Sequence, residues 1–225
     1  MDDKESPPAF ISALTTEHFV LQSALSANSS EVGTRASLYI FSLSSSLVAL
    51  GFASRSPELF GPFLAIVLPA VFILGLFTAM RLVDSNLEGI LFENSIARIR
   101  KYYRTLALEA AEQFSAESGR WPENPAWPSL QLGPFVGFIT TTASMIAFIN
   151  SIVAAVGVAL LTGRLLGYQQ TLLASLIGVG TGLALMALFL VYQKWRYDSA
   201  MRQAGIGLDP PAAGARVIRS EHGPR

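Results

Sequence analysis

Four stretches of the chain lack Asp, Glu, Lys and Arg and have the length of a membrane span: residues 36–53, 60–80, 134–162 and 171–192. An α-helix rises about 1.5 Å per residue, so about 20 apolar residues cross the hydrocarbon core of a bilayer. The first stretch is the weakest, because it has eighteen residues and several of them are serines. A soluble fold could bury one such helix, but 225 residues leave too little polar chain to cover four. The pattern therefore predicts four transmembrane helices.

The positions of the basic residues predict the orientation of these helices. Fourteen of the sixteen Lys and Arg residues lie before the first stretch, between the second and third, or after the fourth. Four spans place these three regions on one side, and the two short connections on the other side hold only Arg55 and Arg164. Because basic residues are enriched on the cytosolic side of membrane proteins, we expect both termini and the long middle connection to be cytosolic.

Two segments on this cytosolic side carry apolar seams with alternating spacings of four and three, as in a coiled coil. Thr15 or Thr16 can cap the start of the first of these helices. An apolar seam needs a partner, so we expect the two to pack together, within the subunit or across an oligomer. The seam before span 1 comprises Leu14, His18, Leu21, Leu25, Asn28 and Val32, and the seam after span 2 comprises Phe92, Ile96, Ile99, Tyr103, Leu106, Ala110 and Gln113.

These patterns predict an all-α polytopic membrane protein with four transmembrane helices in two hairpins. We expect a disordered N-terminus (1–13), a cytosolic amphipathic helix (14–35), a first hairpin (36–83), a cytosolic helix with a re-entry loop (84–133), a second hairpin (134–197) and a mostly disordered cytosolic tail (198–225).

The run ARIRKYYR, residues 97–104, combines four basic residues with two tyrosines. Arg100, Lys101 and Arg104 fall on the side of the second cytosolic helix opposite its seam, which favours a solvated helix face. A bend near Gly89 would instead lay this face against anionic lipid headgroups. The sixteen basic and sixteen acidic residues of the chain cancel, which argues against a nucleic-acid partner.

Composition and motifs give no support for an enzyme. The chain is 51% hydrophobic and 14% charged, whereas a soluble domain has about 25% charged residues. It has no cysteine, its two histidines lie near opposite ends, and it contains no HExxH, glycine-rich phosphate loop or GxSxG motif. We therefore expect no catalytic residue, metal site or cofactor.

The polar and small residues inside the predicted spans are candidates for helix packing or for lining a pore. Asn150, near the middle of the third span, is expected to form a hydrogen bond with a neighbouring helix or a symmetry mate, with a pore-lining role as the alternative. Small residues recur at helical spacing in the third span (Ser151, Ala155, Ala159) and in the GxxxG of the fourth. The full candidate set is Asn150, Thr140, Thr141, Thr142, Ser44, Ser45, Gly178 and Gly182.

Four segments, TTEHFVLQSA (15–24), RASLYIFSLSSSLVALGF (35–52), RIRKYYR (98–104) and TTASMIAFINSIV (140–152), resemble segments of an uncharacterised group of bacterial integral membrane proteins. This resemblance implies a bacterial inner membrane and a four-helix layout. It brings no functional residue with it.

Two functions from different classes fit these observations. The first is a non-catalytic membrane protein that forms oligomers and uses its cytosolic helices for assembly or for docking a cytosolic protein partner. The second is an oligomeric pore or channel, lined by the serines at 42–46 or by Thr140, Thr141, Thr142 and Asn150. The lipid bilayer is the expected environment in both.

Overall fold

The part of the chain that the computed structural model describes, residues 8–106, 134–166 and 170–203, contains five α-helices and no strand. They are α1 (Pro8–Ala53), α2 (Pro57–Leu106), α3 (Pro134–Ile139), α4 (Thr142–Leu166) and α5 (Thr171–Gln203). Four of these helices, α1, α2, α4 and α5, are long and apolar enough to cross a membrane. The prediction of an all-α protein with four such helices is confirmed.

The first helix is longer than the sequence pattern indicated. α1 begins at Pro8, so residues 8–13 are helical rather than disordered. Proline suits the first helical position, because its missing N–H would have had no helical acceptor there. Thr15 and Thr16 do not cap the helix; their hydroxyls donate to carbonyls one turn earlier, at Ile11 and Ser12. Residues 14–53, assigned to a cytosolic helix and a span, form one continuous helix.

The second helix begins after a short turn and runs without interruption through Gly89. The backbone N–H groups of Leu59 and Phe60 both donate to the Ser56 carbonyl, which starts α2. A three-residue connection leaves α2 beside α1, running in the opposite direction. Because α2 stays helical to Leu106, the described part of ARIRKYYR continues the same helix as the second apolar stretch.

The third apolar stretch is predicted to form one helix, but it forms two, α3 and α4. It breaks between Ile139 and Thr142, where Thr141 Oγ1 accepts a hydrogen bond of 3.2 Å from the backbone N–H of Ser144 and so caps α4. The helix formed by the fourth apolar stretch continues well past the end of that stretch at residue 192, because α5 ends at Gln203. Residues 198–203, predicted as the start of a disordered tail, are therefore helical.

The helices pack as a row, in which α2 lies against α1, α4 lies against α2, and α5 lies against α4. The core is centred where α1, α2 and α4 meet, and its buried members are Tyr39, Val71, Ala79, Leu82, Val83, Leu87, Ala143, Ile146 and Ala147. An open row of this kind leaves one face of each edge helix, α1 and α5, without a protein neighbour in the described chain. Large apolar side chains are exposed along both faces.

Candidate functional site

A buried polar junction ties three helices together near the middle of the apolar region. The Tyr39 hydroxyl on α1 donates to Asn150 Oδ1 on α4 over 3.3 Å, and Asn150 Nδ2 donates to the Phe72 carbonyl of α2 over 3.1 Å. Tyr39 and Asn150 are almost fully buried, at 1% and 4% exposure. Both ends of the Asn150 amide are therefore satisfied, and this residue acts as a cross-link between helices.

Gly75 makes room for this junction on α2. A Cβ atom at position 75 would lie 2.6 Å from Asn150 Cγ and 2.8 Å from Tyr39 Cε2, closer than real side chains approach. Glycine is therefore required by the close approach of α1 and α4 to this turn of α2. Of these three residues, Asn150 is predicted from the sequence as a helix-packing residue, whereas Tyr39 and Gly75 are not.

A second polar cluster holds the break between α3 and α4 against α5. Ser144 Oγ donates to Gln193 Oε1 over 2.9 Å, and Gln193 Nε2 donates to the Phe138 carbonyl and to Thr141 Oγ1, each over 3.2 Å. Gln193 and Ser144 are fully buried, at 0% and 1% exposure. The carbonyl that the α3–α4 break leaves without a helical partner is thus satisfied by a side chain from another helix.

Of the three threonines proposed from the sequence, Thr141 enters this cluster. The Thr140 hydroxyl donates to the Val136 carbonyl within its own turn and Thr140 is exposed, while Thr142 is half-buried. Gln193 is not among the residues predicted from the sequence, because it directly follows the last predicted span. An amide placed at the end of an apolar helix is the one local signal that could have identified it.

The two glycines of the GxxxG sequence lie against α4. A Cβ at Gly178 would lie 2.5 Å from the Ala155 carbonyl oxygen and 2.8 Å from Ala159 Cβ, and one at Gly182 would lie 3.0 Å from Ala155 Cβ. Both glycines are buried. The small residues of α4 and the glycines of α5 thus allow the two helices to approach closely.

The proposed serines lie on the opposite edge of the row. Ser44 and Ser45 are exposed on α1, whereas Ser42 and Ser46 are half-buried and donate to carbonyls of their own helix. Ser44 and Ser45 make no side-chain hydrogen bond to another described residue. They therefore face away from α2 and α4.

The two predicted seams meet along the paired lengths of α1 and α2. The ring of His18 contacts that of Tyr103 with centroids 6.2 Å apart, and Asn28 Nδ2 donates to the Ser85 carbonyl over 2.8 Å. Leu25 and Asn28 lie within 4 Å of the position that a Cβ would take at Gly89. These contacts show that residues 18–28 of α1 lie antiparallel to residues 85–103 of α2.

The remaining seam residues differ in burial. Leu21 is half-buried, Ile96 and Ile99 are 5% and 7% exposed, and Leu106 at the end of α2 is 44% exposed. Ala110 and Gln113, the last two members of the second seam, lie outside the described residues. Burial lowers the pKa of His18, and the positive charge of Arg100 lowers it further, so both favour the neutral form of the imidazole.

Charged side chains cluster just outside the first, second and fourth apolar stretches, at the same end of the helix row. Arg81 forms ion pairs with Glu31 and Glu88, and Arg196 of α5 pairs with Asp84 of α2. The Arg35 side chain donates to Glu31 over 2.7 Å, and this hydrogen bond lowers the pKa of the Glu31 carboxyl. Partly exposed pairs of this kind are each worth at most about 1 kcal/mol.

The described part of the chain has no group of three or more His, Cys, Asp or Glu side chains that could hold a metal ion. The buried polar residues of the apolar region are amides and hydroxyls that hydrogen-bond to one another and to backbone carbonyls. Such groups fix helices in place.

No protein-family model, curated protein or solved structure matches this chain. The resemblance to a bacterial group therefore stays a prediction.

Proposed function

We propose that the protein is a non-catalytic integral membrane protein whose α1–α2 pair forms a rigid cytosolic stalk for self-assembly and for docking a protein partner. In this proposal α1, α2, α4 and α5 cross a bacterial inner membrane as two hairpins, with both termini in the cytosol. The observation that carries it is the unbroken pairing of α1 and α2 beyond the second apolar stretch, from Arg81 to Tyr103. These 23 residues span about 33 Å along the helix axis.

The arrangement of charges supports this placement. The ion pairs of Arg81 and Arg196 lie at the end of the core that the basic residues predict to be cytosolic, and the seam continues beyond them. A bilayer boundary at this level would leave the core in hydrocarbon and the ion pairs among headgroups and water.

The exposed side of α1 supports self-association. A second seam with spacings of four and three runs along the whole helix on the side away from α2, and every member is exposed. Its members are Thr16, Val20, Ser23, Ala27, Ser30, Thr34, Ser37, Phe41, Ser44, Val48 and Gly51. Most of them are small, so a second helix could approach closely both in water and in lipid. A twofold axis along the membrane normal would pair two copies of α1 in parallel.

Disulfide formation between copies tests this assembly. The native chain has no cysteine, so single cysteines can be placed without background. We expect Ser30→Cys, on the exposed seam, to give a disulfide-linked dimer in membranes under mild oxidation. Ser29→Cys, one residue away and off the seam, is the matched control and is expected to give little. Equal yields at positions 29 and 30 would contradict the proposal.

Labelling from outside intact spheroplasts tests the orientation separately. A cysteine at Ser56 in the α1–α2 turn is expected to react with a membrane-impermeant maleimide, and cysteines at Ser118 or Ser220 are expected to react only after lysis. The reverse pattern would show that the orientation is wrong.

An oligomeric pore is the alternative function. The exposure of Ser44 and Ser45 favours it, because copies that meet through α1 would bring these hydroxyls to a common axis. Asn150 and Thr141 favour it less, since their side chains are engaged in contacts within the chain. Ion flux through liposomes containing the purified protein, abolished by Ser44→Leu, would support a pore and overturn the scaffold proposal.

A further inference from the structure

An apolar groove runs along the row of helices between α2 and α5, with α4 as its floor. It has two sections, with volumes of about 500 Å³ and 310 Å³, that share Phe72 and Leu185. The larger section reaches Gly61, near the α1–α2 turn, and the smaller one continues to Tyr192. The groove exists because α2 and α5 each pack on α4 but diverge from one another.

One cationic side chain lies at the end of the larger section that is near the α1–α2 turn. Arg164, in the last turn of α4, reaches across to α2 and places a guanidinium nitrogen 3.3 Å from the position that a Cβ would take at Gly61. None of the ion pairs formed between described residues involves Arg164. The lining of this section contains Arg164 and no acidic side chain, so it favours an anion; Glu58, the acidic residue in the first turn of α2, is exposed and lies outside the lining.

The length of the larger section matches one leaflet of a bilayer. It runs along α2 from Gly61 to Phe72, twelve residues that span about 16 Å along the helix axis. Half of the hydrocarbon core is about 15 Å. The charged end therefore lies at the level of lipid headgroups when Phe72 lies near the bilayer midplane.

We propose that this section is a binding site for a phospholipid with a negatively charged headgroup, from the leaflet facing the α1–α2 turn. The phosphate binds Arg164, and one acyl chain lies along the apolar groove as far as Phe72. A cationic group at one end of an apolar channel fits the headgroup and acyl chain of an anionic lipid, whereas an apolar helix from another copy would leave the Arg164 guanidinium without an anionic partner. This inference rests on the membrane insertion proposed above.

Native mass spectrometry of the full chain in detergent tests the site. The purified protein is titrated with phosphatidylglycerol or with phosphatidylcholine of the same acyl chains. We expect the wild type to retain the anionic lipid in preference, and Arg164→Gln to reduce that preference about fivefold. Arg55→Gln is the matched control: Arg55, whose guanidinium lies over the Phe52 ring, is predicted to face the same side, and its loss changes the net charge equally.

A second pair of variants tests the groove itself. Ala154 lines the larger section, so Ala154→Phe is expected to weaken binding of both lipids, while Ala184→Phe on the exposed side of α5 leaves it unchanged. Unchanged preference in Arg164→Gln, or equal losses in Arg55→Gln and Arg164→Gln, would overturn the site. Because this assay does not depend on orientation, a failure here with the expected spheroplast labelling contradicts the lipid site alone. Reversed labelling with intact lipid preference contradicts the proposed orientation alone.

Discussion

The hydroxyl of Tyr39 lies 3.3 Å from Asn150 Oδ1, and this hydrogen bond joins α1 to α4, two helices that otherwise have little contact. The same amide holds the Phe72 carbonyl of α2. One asparagine thus fixes how α1, α2 and α4 are positioned relative to one another along their axes. In an apolar surrounding, a shift along the helix axis would leave these polar groups without partners, which is costly.

The coupling between Tyr39 and Asn150 should be measurable. Tyr39→Phe removes one hydrogen bond, and we expect a loss of roughly 0.6 kcal/mol, the average for hydrogen bonds between membrane helices. Asn150→Ala should cost more, because it leaves the buried Tyr39 hydroxyl unsatisfied and also removes the hydrogen bond that the amide donates to the Phe72 carbonyl. In a double-mutant cycle of unfolding free energies in detergent, the two changes are expected to be non-additive. Additive losses would show that the hydrogen bond contributes nothing.

Gly75→Ala is expected to destabilise the protein, since the new methyl group would overlap Asn150 and Tyr39. Overpacking of this kind costs about 1–3 kcal/mol. Gly33→Ala is the control: no atom lies within 4 Å of a Cβ at that position of α1, and alanine is the better helix former by about 0.5–1 kcal/mol. We expect a lower melting temperature for Gly75→Ala and an equal or higher one for Gly33→Ala. The opposite order would contradict the close approach at Gly75.

Three glycines of α5 offer a graded test of its contact with α4. The new methyl group would overlap Ala155 and Ala159 severely at Gly178, would be tight at Gly182, and would meet nothing within 4 Å at Gly180. Melting temperatures of the alanine variants should therefore fall in the order Gly180→Ala, Gly182→Ala, Gly178→Ala, with a loss of about 1–3 kcal/mol for the last. If Gly180→Ala is as damaging as Gly178→Ala, the two helices pack differently.

Local sequence patterns predicted the helices well and their ends poorly. The apolar stretches and the seams are periodic properties of neighbouring residues, so they can be read without knowledge of the fold. The break after Ile139 depends on Gln193, which lies more than 50 residues later in the chain and fills the gap with hydrogen bonds. No local pattern carries that information.

The site residues that could be predicted are those with a local sequence signal, and the others depend on contacts between distant parts of the chain. Asn150 is conspicuous because it is the only Asn or Gln in the four apolar stretches. Its partner Tyr39 looks like any aromatic residue of a span, and Gly75 looks like any glycine. The sequence indicates only that Arg164 lies in one of the two short connections between spans. Its position beside an apolar groove depends on how α2, α4 and α5 pack.

The packing of α1 against α2 can be tested with one charge placed at two adjacent positions. Leu25 faces Gly89 of α2, whereas Ser26 is exposed. Leu25→Asp should lower the melting temperature strongly, because burying a leucine side chain contributes roughly 1.5–3 kcal/mol and an unpaired carboxylate there adds a desolvation cost. Ser26→Asp should change it little. Similar melting temperatures would mean that the two helices do not pair in solution.

Glu93 provides a pH-dependent test of the same region. Burial raises the pKa of its carboxyl above the usual value of 4.5. A carboxyl with a raised pKa binds its proton more tightly in the folded state, so its contribution to stability is complete below its usual pKa and is lost as the pH rises through the raised value. We therefore expect Glu93→Gln, which stays neutral, to melt at a higher temperature than the wild type at pH 7.5. The advantage should disappear as the pH falls toward 4, where the wild-type carboxyl is protonated.

Glu17→Gln, at an exposed position of α1, removes the same charge and controls for the change in net charge. If the difference between Glu93→Gln and the wild type is the same at pH 4 and pH 7.5, burial of the Glu93 carboxyl does not govern its ionisation.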